Sequence, residues 1–302
     1  MRELIGNILS EDVEKIEQLL KEVTGSDSYV KLERLGGLTN HTYHAVMEDG
    51  KEYSVRIPGE GTEEMIVRSD EKTSTELACR IGVDAQMLYF GKDGSKVTHY
   101  IQDAVTMTPE LMQEEKHIRE AADIFKVIHT CGEDTGVPFE VFDMAASYEK
   151  IINDLSVPMF EDYDEMKAKV MAIKAETDST VNAPKVPCHN DPLCANWVEG
   201  EGKLWLVDWE YSGMNDGMWD LADLSIEAEY SEEQDKLLLS EYLGTAPSIE
   251  NRKHFLASKI YVDYLWTLWA KTRVPFAGQS MEDWACERYD RMKKNIEAFE
   301  KL

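Results

Sequence analysis

The chain is short of positive charge: 32 Lys and Arg stand against 59 Asp and Glu, a formal net charge of −27. This argues against a nucleic-acid partner, because phosphate backbones must be met by clustered cations. No secretory leader is expected either, since Met1 to Leu20 mixes acids and a lysine with its apolar residues. No hydrophobic run is long enough to cross a bilayer. The most apolar later stretch, Ile260 to Ala270, is too short and contains Asp263, so no membrane insertion is expected. Cysteine is sparse and odd in number: Cys79, Cys131, Cys188, Cys194 and Cys286 read as reduced thiols of a cytoplasmic enzyme. Cys188 and Cys194 bracket His189 without the paired C-x-x-C spacing of a metal cluster, so they read as packing residues. No repeat and no low-complexity segment appears.

What remains is ordinary folded-protein composition, 43% hydrophobic and 30% charged over 302 residues. That length exceeds what one hydrophobic core usually serves, so two lobes are expected. The acidity favours solubility and would steer a cationic ligand inward, with most carboxylates on solvated helix faces.

The first 103 residues alternate short β-like runs with turns. Glu11 to Lys21 is an amphipathic helix with Ser10 as N-cap. Tyr29 to Arg34, Thr42 to Met47 and Tyr53 to Ile57 read as strands, the last two joined at Glu48-Asp49-Gly50, a hairpin signal. A helix over Ser69 to Ile81 stops at Gly82. Strands Ala85 to Tyr89 and Lys96 to Tyr100 flank a turn at Lys92-Asp93-Gly94. Beyond Gln102 the periodicity is helical over Glu115 to Thr130, Met144 to Asn153, Tyr163 to Asp178, Trp219 to Glu229 and nearly all of the chain after Ser231. Pro187 to Asp208 interrupts it as a polar loop with strands at Trp197-Val198 and Leu204 to Val207. The expected class is α+β, a small antiparallel-sheet lobe at 1–103 and a larger helical lobe at 104–302, the shape of a cleft enzyme.

The interruption carries chemistry. It reads His189-Asn190-Asp191-Pro192-Leu193-Cys194-Ala195-Asn196 and then Leu206-Val207-Asp208-Trp209-Glu210. An Asp, an Asn five positions on and an Asp closing a short apolar strand suit phosphoryl transfer. Asp191 would accept or orient the proton of the attacking hydroxyl, while Asn196 and Asp208 offer hard oxygen ligands to Mg²⁺ on the nucleotide phosphates. Asp, Asn and Pro also build plain turns, and the strand-terminal Asp208 favours the catalytic alternative. Gly36-Gly37-Leu38-Thr39-Asn40 lies between two strands, where backbone N–H groups can approach phosphates, although two glycines in a hairpin alone mean only a tight turn. Arg56 closes a strand where a kinase fold keeps its phosphate-binding cation, and Glu71 on the next helix is placed to pair with it. A hinge bordering the nucleotide is expected near Tyr100, Ile101 and Gln102, where backbone contacts leave no side-chain signature of the adenine site.

These runs, with Arg56-Ile57-Pro58-Gly59, Asp208-Trp209-Glu210-Tyr211 and Asp220-Leu221-Ala222, resemble the choline kinase family, more narrowly its bacterial members, within the aminoglycoside phosphotransferase-like superfamily. The resemblance runs from the first strand to near the C-terminus. It implies a protein-kinase-like two-lobe fold, ATP and Mg²⁺ as cofactors, and phosphorylation of choline to phosphocholine. Arg56 stands where protein kinases have Lys and Asp-Trp-Glu where they have Asp-Phe-Gly, and their activation-segment signature is missing, which argues against protein substrates.

Choline is a permanent cation without an N–H to donate, so ring faces, apolar contact and a negative field must hold it. A ring contributes on the order of 0.5–2 kcal/mol to such a cation. Trp266 and Trp269 lie one turn apart, and the resemblance places its cage there, with Trp284 from the following helix. Tyr211 and Trp219 are further candidate walls, and Glu210 could add negative charge. Asp220 could do the same, but a brace for the catalytic loop is its favoured role, and His189 too reads as a brace rather than a base. The stripe Val262, Leu265, Trp266, Trp269 has the spacing of any buried helix face, so core packing stays open as the alternative. Ethanolamine, thiamine or an aminoglycoside are the alternative acceptors. A catalytically silent binding protein is disfavoured by the complete Asp191, Asn196, Asp208 set. Oligomeric state is not legible in the sequence.

Overall fold

The computed structural model describes residues 3–36, 40–59 and 66–302. Gly37, Leu38 and Thr39 of the expected phosphate loop lie outside them. The chain forms two compact units, Met1–Met107 with Ala195–Ser212, and Thr108–Cys194 with Gly213–Leu302.

The first unit runs β1 (Glu3–Ile5), α1 (Ser10–Thr24), β2 (Tyr29–Gly36), β3 (Asn40–Met47), β4 (Glu52–Pro58), α2 (Arg68–Arg80), β5 (Met87–Phe90), β6 (Lys96–His99) and β7 (Val105–Thr106). Six strands form one sheet in the order β1-β2-β3-β4-β6-β5, antiparallel except for β1 against β2. Alternation drives it: Tyr43 and Ala45 on β3, Val55 and Ile57 on β4 and Val97 on β6 point to one core. Ile16, Leu19 and Leu20, spaced i, i+3, i+4 on α1, cover that face. Two local expectations change. Leu9, not Ser10, is the N-cap of α1 and makes no side-chain cap hydrogen bond. The parallel strand β1 was also not anticipated, because three residues are too few to show a period.

The second unit holds α3 (Pro109–Met112), α4 (Glu115–His129), α5 (Val141–Asp154), α6 (Tyr163–Thr180) and β8 (Lys185–Cys188). After a 3₁₀ turn at Cys194–Asn196 the chain crosses to the first unit for β9 (Trp197–Gly200) and β10 (Lys203–Leu206). It returns with β11 (Gly213–Asp216), α7 (Met218–Glu227), α8 (Glu232–Leu243), α9 (Ile249–Ala277) and α10 (Gln279–Phe299). Capping boxes at Ser231/Gln234 and Ser248/Asn251 start α8 and α9, each cap side chain being worth about 1 kcal/mol. Helix α7 is buried on all sides from Met218 to Ile226, although it carries Asp220 and Asp223.

This division differs from 1–103 and 104–302 chiefly at residues 195–212. The hairpin β9–β10 pairs with β7, Val105 opposite Glu199 and Thr106 opposite Val198, and those ladder bonds tie it to the first unit. Gly200 makes the close approach possible: a Cβ there would lie 2.5 Å from Ile101 Cγ2 and 2.8 Å from the Gln102 carbonyl.

Candidate active site

In the first unit, the hairpin β9–β10 pairs Trp197 with Leu206, so Asn196 and Val207 face each other at its open end. The Val207 amide donates to the Asn196 carbonyl at 2.9 Å. Register therefore brings Asn196 beside Asp208, as a shared metal ion would require. Asp208 has φ +68°, a left-handed backbone unusual for a residue with a side chain and often seen at functional positions. Its carboxylate is 32% exposed, and Oδ1 accepts a hydrogen bond from Arg56 Nη1 at 3.1 Å. One carboxylate and one amide oxygen are hard donors that suit Mg²⁺.

Arg56 is buried and grips three partners. Nη1 reaches Asp208, while Nη2 contacts Glu71 and donates to the Gly94 carbonyl at 2.8 Å. Burial opposes its charge, but Glu71, Asp208 and Glu210 more than offset this, and its pKa stands above the ordinary arginine value. The expected Arg56–Glu71 pair is present. The sequence reading missed Arg68, whose Nη1 lies 2.6 Å from Glu71 Oε2 and 3.5 Å from Glu210 Oε2. Its only sequence signal was the i,i+3 spacing to Glu71. Gly94, at φ +90°, makes room for it, since a Cβ there would lie 2.4 Å from Arg68 Nε. Asn40 Nδ2 donates to Glu210 Oε2 at 3.1 Å, so the strand after the glycines is tied to the segment after Asp208. Burial pushes the Glu210 carboxyl up and Asp208 adds to this, while Asn40 and Arg56 oppose it. Burial likewise lifts Asp84 to about 6 against the pull of Lys96, a second cation missed in the sequence.

The expected hinge is engaged within the same unit. Tyr100 stacks on His44 with ring centroids 3.7 Å apart. The Gln102 amide donates to Glu201 Oε1 at 3.2 Å and its carbonyl accepts from the Glu201 amide at 3.1 Å, while Ile101 is buried.

In the second unit, β8 pairs with β11, Cys188 opposite Gly213, and delivers the chain to His189. Asp220, fully buried on α7, accepts the amides of His189 at 2.8 Å and Asn190 at 2.7 Å. The same carboxylate lies 3.0 Å from His129 Nε2. The loop-bracing role is thus its observed one. Cys188 completes a close group with His129 and Asp220, but both Asp220 oxygens already accept hydrogen bonds, which explains the group without an ion. Asn190 takes φ +67°, its Oδ1 accepts from Asn215 Nδ2 at 2.9 Å, and the next residue is the half-buried Asp191. The Asp191 amide donates to His189 Nδ1 at 3.3 Å, so His189 braces the turn.

Of the aromatic candidates, Trp266, Trp269 and Trp284 come together. Their ring centroids are 6.2 Å apart from Trp266 to Trp269 and 5.9 Å apart from Trp269 to Trp284, each pair edge to face. Trp219 takes another place. It is buried, packs against Phe139 at 5.4 Å and donates its indole N–H to the Asn190 carbonyl at 3.0 Å, so it supports the loop. Glu210 and Tyr211 belong to the first unit.

A small sheet unit with an arginine–glutamate pair, a helical unit with a braced Asp loop, and a hairpin presenting Asn196 and Asp208 define a small-molecule phosphotransferase of kinase-like fold. Residues 33–282 match the choline/ethanolamine kinase family model, and the chain belongs to that family. It is similar to a choline/ethanolamine kinase family protein from Mesorhizobium loti, with 32% identity, TM-score 0.82 and coverage of 95% of this chain and 94% of that one. It is also similar to choline kinase LicA from Streptococcus pneumoniae, with 30% identity, TM-score 0.81 and coverage of 96% and 100%. A LicA structure in complex with AMP matches at 28% identity and TM-score 0.78, covering 96% and 100%. Aminoglycoside 2'-phosphotransferase-IIIa, at 13% identity and TM-score 0.68 over 95% and 99%, shares the fold.

The Arg56 geometry makes a prediction. An ammonium cannot span Glu71, Asp208 and the Gly94 carbonyl as the planar guanidinium does. Losing one charge-assisted hydrogen bond costs about 1.5–3 kcal/mol, so Arg56→Lys is expected to lower kcat/KM for ATP roughly 10- to 100-fold. Equal efficiency in steady-state assays would show that only charge is needed at this position.

Proposed function

We propose that this protein transfers the γ-phosphoryl group of ATP to the hydroxyl of choline, with Mg²⁺ and with Asp191 as the base. In this reading Arg56, held by Glu71 beside Arg68, grips the nucleotide phosphates. Asn196 and Asp208 hold the metal, which when bound neutralises phosphate charge. Asp191 takes or orients the proton of the acceptor hydroxyl, held in place by the Asp220 brace. Tyr100 to Gln102 border the adenine, with Gln102 already committed to Glu201 through both backbone groups. None of the five cysteines is in a disulfide, which fits a reducing, cytoplasmic setting.

The observation that carries the acceptor assignment is the contiguous group of Trp266, Trp269 and Trp284. A quaternary ammonium has no hydrogen to donate and gains from ring faces. Ethanolamine carries N–H donors and would favour carboxylates over rings as its direct hydrogen-bonding partners. ADP release with Mg-ATP should be measured over choline, ethanolamine, thiamine and kanamycin, with choline expected to give the highest kcat/KM. A preference for any of the others would reject choline as the acceptor.

Trp269→Phe separates a cage from simple packing. The Trp269 indole N–H is buried and has no partner among the described residues, so Phe removes no hydrogen bond while keeping most of the volume. The variant is expected to melt near the parent and to raise the choline KM several-fold, since about 1 kcal/mol is a factor of roughly five. A lowered melting point with unchanged choline KM would return this residue to the core.

A further inference from the structure

Helix α7 carries a carboxylate that the reaction above does not use. Asp223 is 0% exposed, and neither oxygen has a hydrogen-bond partner of good geometry among the described residues. The Trp266 indole acts on it as a donor without completing such a bond. Asp223 therefore adjoins the first ring of the indole series that continues through Trp269 to Trp284.

The charges around it do not balance. Arg288 on α10 lies with Cζ 4.2 Å from the Trp284 ring centroid, contacts Glu227 through Nη2 and donates from Nη1 to Asp263 at 3.2 Å. Arg291 donates to both oxygens of Asp263, at 2.6 and 2.9 Å. Asp223, Glu227 and Asp263 thus face two guanidiniums, both already engaged by the other two acids. Other helices packed on α7 bring groups with partners of their own. His129 on α4 is bound to Asp220, and Asp235 on α8 is bound to Ser225 and Lys259. Asp223 is the carboxylate left without a guanidinium of its own, and Asp220 on the same helix adds to the negative charge around it. A buried carboxylate in that position stays protonated until a cation arrives. Burial, with Glu227 next, raises its pKa well above the ordinary value, and Arg288 only partly opposes this.

We propose that Asp223 is the counter-charge of the acceptor site: it receives the acceptor's permanent positive charge and releases its proton to solvent as that cation binds. The proposal rests on the reading that the indole group holds a quaternary ammonium. It explains how rings alone, which attract any cation weakly, become selective for a charged acceptor over a neutral one of the same shape. The direction of the pH dependence follows. Choline affinity is greatest at high pH and weakens as pH falls through the titration of Asp223 in the free protein.

The test is calorimetry of choline binding to the full-length protein in phosphate and in Tris, repeated between about pH 6 and pH 8.5. The parent should release up to about one proton per choline, whereas Asp223→Asn should release none. Kinetically, Asp223→Asn should raise the choline KM at least about tenfold, leave the ATP KM near the parent's, and narrow the preference for choline over the neutral isostere 3,3-dimethylbutan-1-ol. Because the variant replaces a buried carboxyl group that has no hydrogen-bond partner of good geometry among the described residues, it should melt at or near the parent temperature at pH 8. If the parent phosphorylates choline but binds it without proton release, and Asp223→Asn keeps the parental choline KM, this inference falls and the choline reading stands. If the parent neither binds nor phosphorylates choline, both fall.

Discussion

Asp191→Asn is expected to lower kcat by roughly 10²- to 10⁴-fold, the usual worth of a positioned general base. The substitution keeps size and polarity but replaces the basic carboxylate with an amide, whose oxygen is too weak a base to take the hydroxyl proton. The loop that positions it is held by groups other than its own carboxylate. The His189 and Asn190 amides are fixed by Asp220, the Asn190 carbonyl by Trp219, and Asn190 Oδ1 by Asn215. The variant should therefore fold, melt near the parent and bind nucleotide with parental affinity. Single-turnover phosphoryl transfer and nucleotide titration read the two halves separately. A kcat within a few-fold of the parent would remove Asp191 from the role of base.

Asp220→Ala is expected to be the most destabilising of the substitutions considered. It strands two backbone N–H groups and the His129 nitrogen in a fully buried place, and breaking such a buried charged network costs about 3–5 kcal/mol. In a chain of this size that is a fall of roughly 6–20 °C in melting temperature. Activity should be lost as well, because Asn190 holds φ +67° only while its amide is anchored and Asp191 is aimed by that turn. Asp220→Asn, which keeps an acceptor, should fall between the two. Melting of Asp220→Ala within about 2 °C of the parent would show that the loop has another support.

Much of the candidate site is legible in sequence because its residues are close along the chain. The spacing from Asp191 to Asn196, the strand that ends at Asp208, and the Arg56–Glu71 order are all readable along the chain, and the structure joins Arg56 to Glu71 as expected. The Asp-Gly turn was legible for the same reason: Gly50 takes φ +84° between β3 and β4. The edges of the reading failed where short segments are stabilised by partners distant in sequence. Strand β1, and the membership of residues 195–212 in the first unit, follow from pairing with β2 and with β7.

The indoles divide along the same line. Trp219 is in sequence a further candidate wall beside the cage expected at Trp266, Trp269 and Trp284, but the position of α7 turns Trp219 inward onto the Asn190 carbonyl. Helices α9 and α10 instead set Trp266, Trp269 and Trp284 edge to face in series. Arg68 and Asp223 could not be distinguished from solvated surface charges in an acidic chain, because burial is a property of packing. Sequence by itself determined the reaction class, since hydroxyl activation and metal ligation demand particular side chains at short, fixed separations. Only the tertiary structure decided which charges are buried and which remain unbalanced, because desolvation and counter-charge depend on helices that meet from distant parts of the chain.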